Sequence, residues 1–169
     1  MAKQNKVTSP KRKGKTLRPR GAGKARALSE QNPRREYTKL IGLKAKNTLE
    51  LVKHVENGLS FTVVESLQQQ MKLATKDMSE LLDIKLRTFL RRKEEGRLQP
   101  AESDRVLRAS RLFARATDLF NGNPDAARRW LMSSQRALGG AVPMEIARTE
   151  VGAREIERII GRLEQGVFT

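Results

Sequence analysis

The sequence predicts an all-α protein: a helix-turn-helix region followed by a small helical domain, preceded by a disordered basic arm. Three stretches carry that prediction. Residues 75–97 (TKDMSELLDIKLRTFLRRKEEGR) read as two short helices about a tight turn. Residues 100–120 read as one long helix that is apolar on more than one side, the mark of burial between neighbours. Ile156, Ile159, Ile160 and Leu163 repeat at i, i+3, i+4 and i+7, the spacing of an amphipathic helix.

The chain of 169 residues suits one domain or two small ones. With 37% hydrophobic and only 4% aromatic residues, its core must be aliphatic and modest. A net charge of +16 and a pI near 10.9 favour a polyanionic partner. Residues 1–35 hold twelve Lys and Arg against Glu30 alone, a net +11, so the remainder carries only +5. An acidic partner of the folded part must therefore meet a local patch. Residues 1–36 form the arm, with Val7, Leu17 and Leu28 as its only sizeable apolar residues. Such a segment cannot bury enough surface to offset its ordering entropy. It reads equally as a phosphate-tracking arm, which would make binding steeply salt-dependent, and as a solubilising tail.

In chain order, a first helix over residues 46–57 places Leu49, Val52 and Val55 on one inward face and stops at Gly58. Ser60 or Thr62 caps a second through Met71, with Val63, Val64 and Leu67 inward. Thr75 caps the third, whose apolar face is Met78, Leu81 and Leu82. After a break at Asp83 and Ile84, the fourth runs from Lys85 to a stop at Gly96. Leu86, Phe89 and Leu90 form its apolar stripe. Thr88 and Arg91 then point directly away, flanked by Arg87 and Arg92. A cationic outer face on the second of two short helices suits a major groove, and it equally describes an ordinary helical hairpin whose arginines solvate its surface. Glu94 and Glu95 at the far end count slightly against DNA. Lys85, Arg87, Thr88, Arg91 and Arg92 are the candidate DNA-contacting set.

Pro100 opens the long spine helix, and the helix-turn-helix region with that spine occupies residues 37–121. Gly122 ends the spine, Asn123 caps the next helix, and Pro124 with Asp125 suits its first turn. Residues 122–169 form the C-terminal domain: the helix reaching Trp130, a Gly139-Gly140 turn, a short helix after Pro143, and a last helix from a Thr149 cap to Gly166. Trp130 reads as core or as a partner anchor, and Phe168 has the same two readings. Gly161 inside the last helix costs about 1 kcal/mol against alanine and points to close approach by another backbone.

No catalytic constellation emerges. Cysteine is absent, which excludes disulfides, thiol chemistry and thiolate metal sites. His54 is the only histidine, and nothing pairs it with a nucleophile. The twin glycines lack a preceding strand and a Gly-Lys-Ser/Thr ending, so they do not form a phosphate loop. The expectation is a non-enzymatic protein without cofactor or metal. With no apolar run near the roughly 18 residues of a membrane span and no signal peptide, it is expected in the cytoplasm.

Two groups of residues carry a family resemblance. One is Arg87-Thr88, Leu90-Arg91-Arg92, Gly96-Arg97-Leu98, Pro100, Glu102-Ser103-Asp104-Arg105 and Arg111. The other is Ala127-Arg128-Arg129-Trp130-Leu131, Ala137-Leu138-Gly139-Gly140, Pro143, Thr149, Gly152-Ala153 and Gly166-Val167-Phe168. From about Gly58 onward the chain closely resembles the Xre/ParS/MbcA antitoxins of bacterial type II toxin–antitoxin modules. The resemblance implies an Xre-like helix-turn-helix domain and a small helical toxin-binding domain. It also implies a RES-type toxin partner that consumes NAD. Residues matching the toxin-binding motif include Trp130, Leu138, Gly139, Gly140, Pro143 and Gly166 to Phe168, with Trp130 to Pro143 read chiefly as setting the local fold. The direct-contact set is taken as Arg154, Arg158, Arg162, Gly166, Val167 and Phe168, covering the mouth of the toxin's NAD pocket. The helix-turn-helix would bind the module's own promoter as an autorepressor. Because one helix-turn-helix reads a half-site, a homodimer or higher oligomer is implied. A helix-turn-helix regulator or nucleoid-associated protein without a toxin explains the basic arm equally well. An RNA-binding role fits the arm but not the scarcity of aromatics.

Overall fold

A computed structural model of the chain describes residues 33–166, with side chains from residue 37 onward. Helix α1 (Pro33–Leu40) begins inside the stretch assigned to the arm and buries Tyr37, with Ile41 just beyond its end. Three large apolar residues, Tyr37, Leu40 and Ile41, in a basic background are too few for periodicity to register. The rest of the expected arm, residues 1–32, lies outside the described residues.

Helix α2 (Thr48–Glu56) is capped by Asn47, whose side chain accepts from the Glu50 N–H at 2.9 Å. Its inward face differs from expectation. Leu49 is 75% exposed and Val52 45%, while Leu51, His54 and Val55 are half-buried. The helix carries two overlapping apolar stripes, and packing selects the one on Leu51 and Val55.

The chain turns at Gly58 (φ +77°), where an added Cβ would lie 2.1 Å from the Leu98 carbonyl oxygen. That closeness belongs to a small antiparallel bridge between Ser60 and Arg97. The Phe61 N–H donates to Gly96 and the Leu98 N–H to Leu59, each at 2.9 Å. The buried Ser103 hydroxyl accepts from the Leu59 N–H and donates to the Gln99 carbonyl.

Helix α3 (Thr62–Met71) buries Val63, Val64, Leu67 and Met71. Helices α4 (Thr75–Leu81) and α5 (Leu86–Glu95) meet at a turn in which Asp83 has φ +52°. Thr75 does not cap α4; Ala74 holds the cap position, and the Thr75 hydroxyl accepts from Gln68 Nε2 at 3.4 Å. Helix α6 (Pro100–Leu119) is the expected spine, burying Val106, Ala109, Leu112, Phe113 and Ala116. Its buried Ser110 hydroxyl is satisfied by the Val106 carbonyl at 2.7 Å.

Gly122 (φ +82°) and the Asn123 cap on Ala126 N–H start α7 (Pro124–Met132) as predicted. A 3-10 turn at Arg136–Leu138, the short α8 (Pro143–Ile146) and α9 (Glu150–Glu164) complete the described chain. Thr149 Oγ1 caps α9 through the Gly152 N–H at 3.1 Å. One continuous apolar core runs from Ile41 to Ile160. Trp130 packs half-buried against it, its ring 6.5 Å from that of Phe120.

Close backbone approach occurs at Gly152, not at Gly161. A Cβ on Gly152 would lie 1.9 Å from the Ile146 carbonyl oxygen, whereas at Gly161 the nearest atom is an Arg115 side-chain nitrogen at 3.9 Å. The α6–α9 seam is ionic as well as apolar. Arg108 and Arg111 both reach Glu150 (3.2 and 3.3 Å), Arg111 reaches Glu157 (2.5 Å), and Arg115 reaches Glu164 (3.3 Å). Burial raises the Glu150 pKa, but Arg154, Arg111 and Arg108 outweigh it and hold this carboxyl below its ordinary value. At Arg111 burial lowers the pKa, but Glu157 and then Glu150 outweigh it and raise that guanidinium above its ordinary value.

Two tests follow from the glycines and the seam. Gly161→Ala is expected to raise stability by up to about 1 kcal/mol through helix propensity. Gly152→Ala is expected to lower it by about 1–3 kcal/mol through overpacking, and paired thermal melts read the opposite signs. A carboxylate whose pKa falls on folding contributes fully above its unfolded value, near 4.3 for glutamate, and loses that contribution as pH drops through the lowered value. Glu150→Gln should therefore cost up to about 1 kcal/mol at pH 7 and lessen the acid sensitivity below about pH 5, measured by urea unfolding.

Candidate functional site

The orientation of α5 decides what this surface offers. Phe89 is its one fully buried side chain, edge-to-face with Phe61 at 5.1 Å. Arg92 is also turned inward: its Nε donates to both Glu102 oxygens (3.1 and 2.8 Å) and its Nη1 to Glu95 at 2.7 Å. The hydrogen bond to Glu102, then that to Glu95, raises the Arg92 pKa above its ordinary value. Glu102 also accepts from the Gln99 N–H at 2.7 Å and so caps α6 with the same carboxylate.

This corrects the expected helix face. Arg92 lies inward, not on the flank of the outer face, and Leu86 and Leu90 are 42% and 45% exposed instead of inward. An arginine whose charge is met by a buried glutamate outcompetes the leucines for the inner side. Counting apolar spacing cannot foresee such a pair. Lys85, Arg87 and Arg91 are exposed as expected, and Thr88 is half-buried. Arg87 has no ion-pair partner among the described residues, and Arg91 pairs only loosely with Glu95 at 3.6 Å.

Two arginines that entered the sequence reading only as family landmarks turn out to position backbone. Arg105 on α6 donates to the Leu82 and Asp83 carbonyls (3.2 and 2.6 Å), fastening the turn between α4 and α5. Arg97 donates to the Asn57 carbonyl at 2.8 Å, closing the end of α2. Nothing local marks either role. Glu102 could have been found, because Gln99 and Glu102 have capping-box spacing ahead of the spine.

On α9, Arg154, Arg158 and Arg162 lie at i, i+4 and i+8 along one exposed stripe. Each has a local acidic partner: Arg154 meets Glu150 at 3.2 Å, Arg158 meets Glu155, and Arg162 meets Glu155 at 3.6 Å. Gly166 takes φ +70° past the helix end, bonding back to the Leu163 carbonyl. Val167 and Phe168 lie outside the described residues. A cleft of about 580 Å³ between α4, α7 and α8, with Leu81, Met132, Met144, Arg129 and Arg148 among its lining, also went unpredicted. It is assembled from segments distant in sequence.

Among the described residues no helix is long and apolar enough to cross a membrane. Residues 50–111 match the family model of the antitoxin Xre-like helix-turn-helix domain. Residues 115–166 match that of the antitoxin Xre/MbcA/ParS C-terminal toxin-binding domain. The two matches meet inside α6, ahead of the 121–122 boundary drawn from the turn. The chain is 35% identical over 130 residues to Antitoxin Xre of Yersinia enterocolitica, an alignment covering 76% of this chain and 88% of that one. Identity to Antitoxin Xre of Photorhabdus laumondii is 33% over 116 residues, covering 68% of this chain and 78% of that one. With Antitoxin Xre of Pseudomonas putida it is 27% over 118 residues, covering 69% and 72%. The turn fastened between α4 and α5, the spine behind it and the helical domain at its far end are thus accounted for together: the chain belongs to the Xre antitoxins, a non-catalytic family with a helix-turn-helix domain and a C-terminal toxin-binding domain.

Proposed function

We propose that this antitoxin neutralises a RES-type, NAD-consuming toxin by occluding its active site, and represses its own promoter through the helix-turn-helix in the bacterial cytoplasm. The observation that carries the first half is the α9 stripe of Arg154, Arg158 and Arg162, leading to Gly166 within the toxin-binding domain. A helix end anchored on a packed core loses little entropy on binding. Its cations and the following Val167 and Phe168 suit the mouth of a pocket that takes an anionic dinucleotide. Support for the second half is the outer face of α5, where Lys85, Arg87 and Arg91 stand exposed with Thr88 at the edge. Arg92 serves it indirectly, by fixing the helix's rotation. A two-fold dimer on a palindromic operator follows from half-site geometry.

Deleting residues 166–169 is expected to abolish rescue of cells expressing the toxin, at unchanged antitoxin level. Full protection by the truncated protein refutes the role of the tail. Arg87→Ala with Arg91→Ala is expected to weaken operator binding at fixed salt by roughly tenfold or more, since a base-reading arginine contributes about 1–3 kcal/mol. Unchanged binding by that variant would sink the promoter assignment. Co-purification with the product of an adjacent RES-type reading frame separates this reading from a toxin-free regulator.

A further inference from the structure

Helix α5 is held in one rotational setting by Phe89 on the core and Arg92 on Glu102, and that setting displays two leucines to solvent. At 100° per residue, Leu86 and Leu90 lie roughly 60° and 100° from Phe89, while Arg87 and Arg91 lie within roughly 20° of the opposite direction. The exposed surface of α5 therefore runs from an apolar flank, Leu86 and Leu90, to a cationic outer line, Arg87 and Arg91. Glu94 falls on the same arc near the far end, and Lys93 at its border pairs with Glu65 of α3 at 3.2 Å. The near end is different. No side chain caps the first turn, no acidic residue lies in it, and Lys85 occupies the cap position.

The occupant that suits this face is the major groove of duplex DNA. Its width of about 12 Å admits a helix, and its phosphates complement Lys85, Arg87 and Arg91. Among the groups that base edges present there, the thymine C5-methyl is the apolar one. We infer that Leu86 and Leu90 are specificity-determining residues that read thymine methyl groups, beside guanines contacted by Arg87 and Arg91. The two leucines stand one helical turn apart, about 6 Å along the axis, which spans roughly two base steps of 3.4 Å. The operator half-site then carries two thymines about two steps apart, next to guanine. This inference rests on the promoter-binding reading and refines it.

The test uses the full-length protein and a duplex selected from random sequence for tight binding. Thymidine is replaced by deoxyuridine one position at a time, which deletes only the methyl group. Wild-type protein is expected to lose about fourfold in affinity at each of two positions, the worth of one methyl-sized group returned to water. Leu86→Ala and Leu90→Ala should each lose a similar factor on the thymidine duplex and become indifferent to deoxyuridine at one of those positions. Wild-type binding that ignores every replacement overturns the inference, as do leucine variants that keep full sensitivity. If either alanine variant lowers the oligomeric state in sedimentation, the stripe is a subunit contact and the inference fails. Failure of the underlying reading looks different: selection then yields no duplex preferred over random sequence. Both leucines are exposed, so circular dichroism melts close to wild type are expected and keep the comparison valid.

Discussion

One helix supplies the wall on which both halves of the molecule are built. α6 carries Val106, Ala109, Leu112, Phe113 and Ala116 in the common core, so the helix-turn-helix and the C-terminal helices bury their apolar faces against the same twenty residues. Its first turns control the helix-turn-helix half. Glu102 caps α6 and holds Arg92, while three residues on Arg105 fastens the turn that aims α5. Its later turns control the other half, through Arg108, Arg111 and Arg115 on the carboxylates of α9. A buried ion pair adds little net stability against an apolar replacement, but an unpaired remnant is costly. The Arg92–Glu102 pair is therefore better understood as fixing a rotation than as adding stability. Without it, the inner side of α5 could be taken by Leu86 and Leu90, and the exposed face would change.

How much of this was legible in the sequence depended on whether a signal was local. Caps and stops were. Asn123, Pro124, Thr149, Gly96, Gly122 and Gly166 act where expected, because each acts on backbone within a few residues. The spine was legible because twenty residues give periodicity room to show. Short helices were legible unevenly. On α3 and α4 the expected Val63, Val64, Leu67, Met78 and Leu82 are buried. On α2 and α5 the pattern placed Val55 and Phe89 inward correctly but also Leu49, Val52, Leu86 and Leu90, which are exposed. Tertiary partners decided: Glu102 in the case of α5, and the neighbours of Leu51 and Val55 in the case of α2. The two α9 glycines make the same point. Gly161 drew attention by interrupting a helix, yet the residue that has no room for a Cβ is Gly152, at the capped end.

The candidate site was legible in outline and not in detail. The proposed reading face was drawn on α5 from two short helices and a cationic run, and the toxin-binding domain followed from family resemblance alone. The membership of the reading face did not, since five arginine or lysine side chains look alike until one of them meets a buried acid.

Net charge illustrates why position matters more than sum. The chain beyond residue 35 carries only +5, a weak invitation to a polyanion if spread evenly. It is not spread evenly. Arg92, Arg108, Arg111 and Arg115 are engaged by glutamates that tie helices together, and Arg97 and Arg105 by backbone carbonyls. Those cations do structural work, and the acids opposite them are neutralised in the same act. What remains outward on the near end of α5 is Lys85 and Arg87 without an acid in the first helical turn, and Arg91 with only a loose one. Local surplus is what a phosphate backbone meets, because screening by salt confines attraction to about 8–10 Å. A mildly basic fold thus leaves exposed cations on the near end of α5, where the proposed reading face lies, their surplus set by which arginines the interior has already engaged.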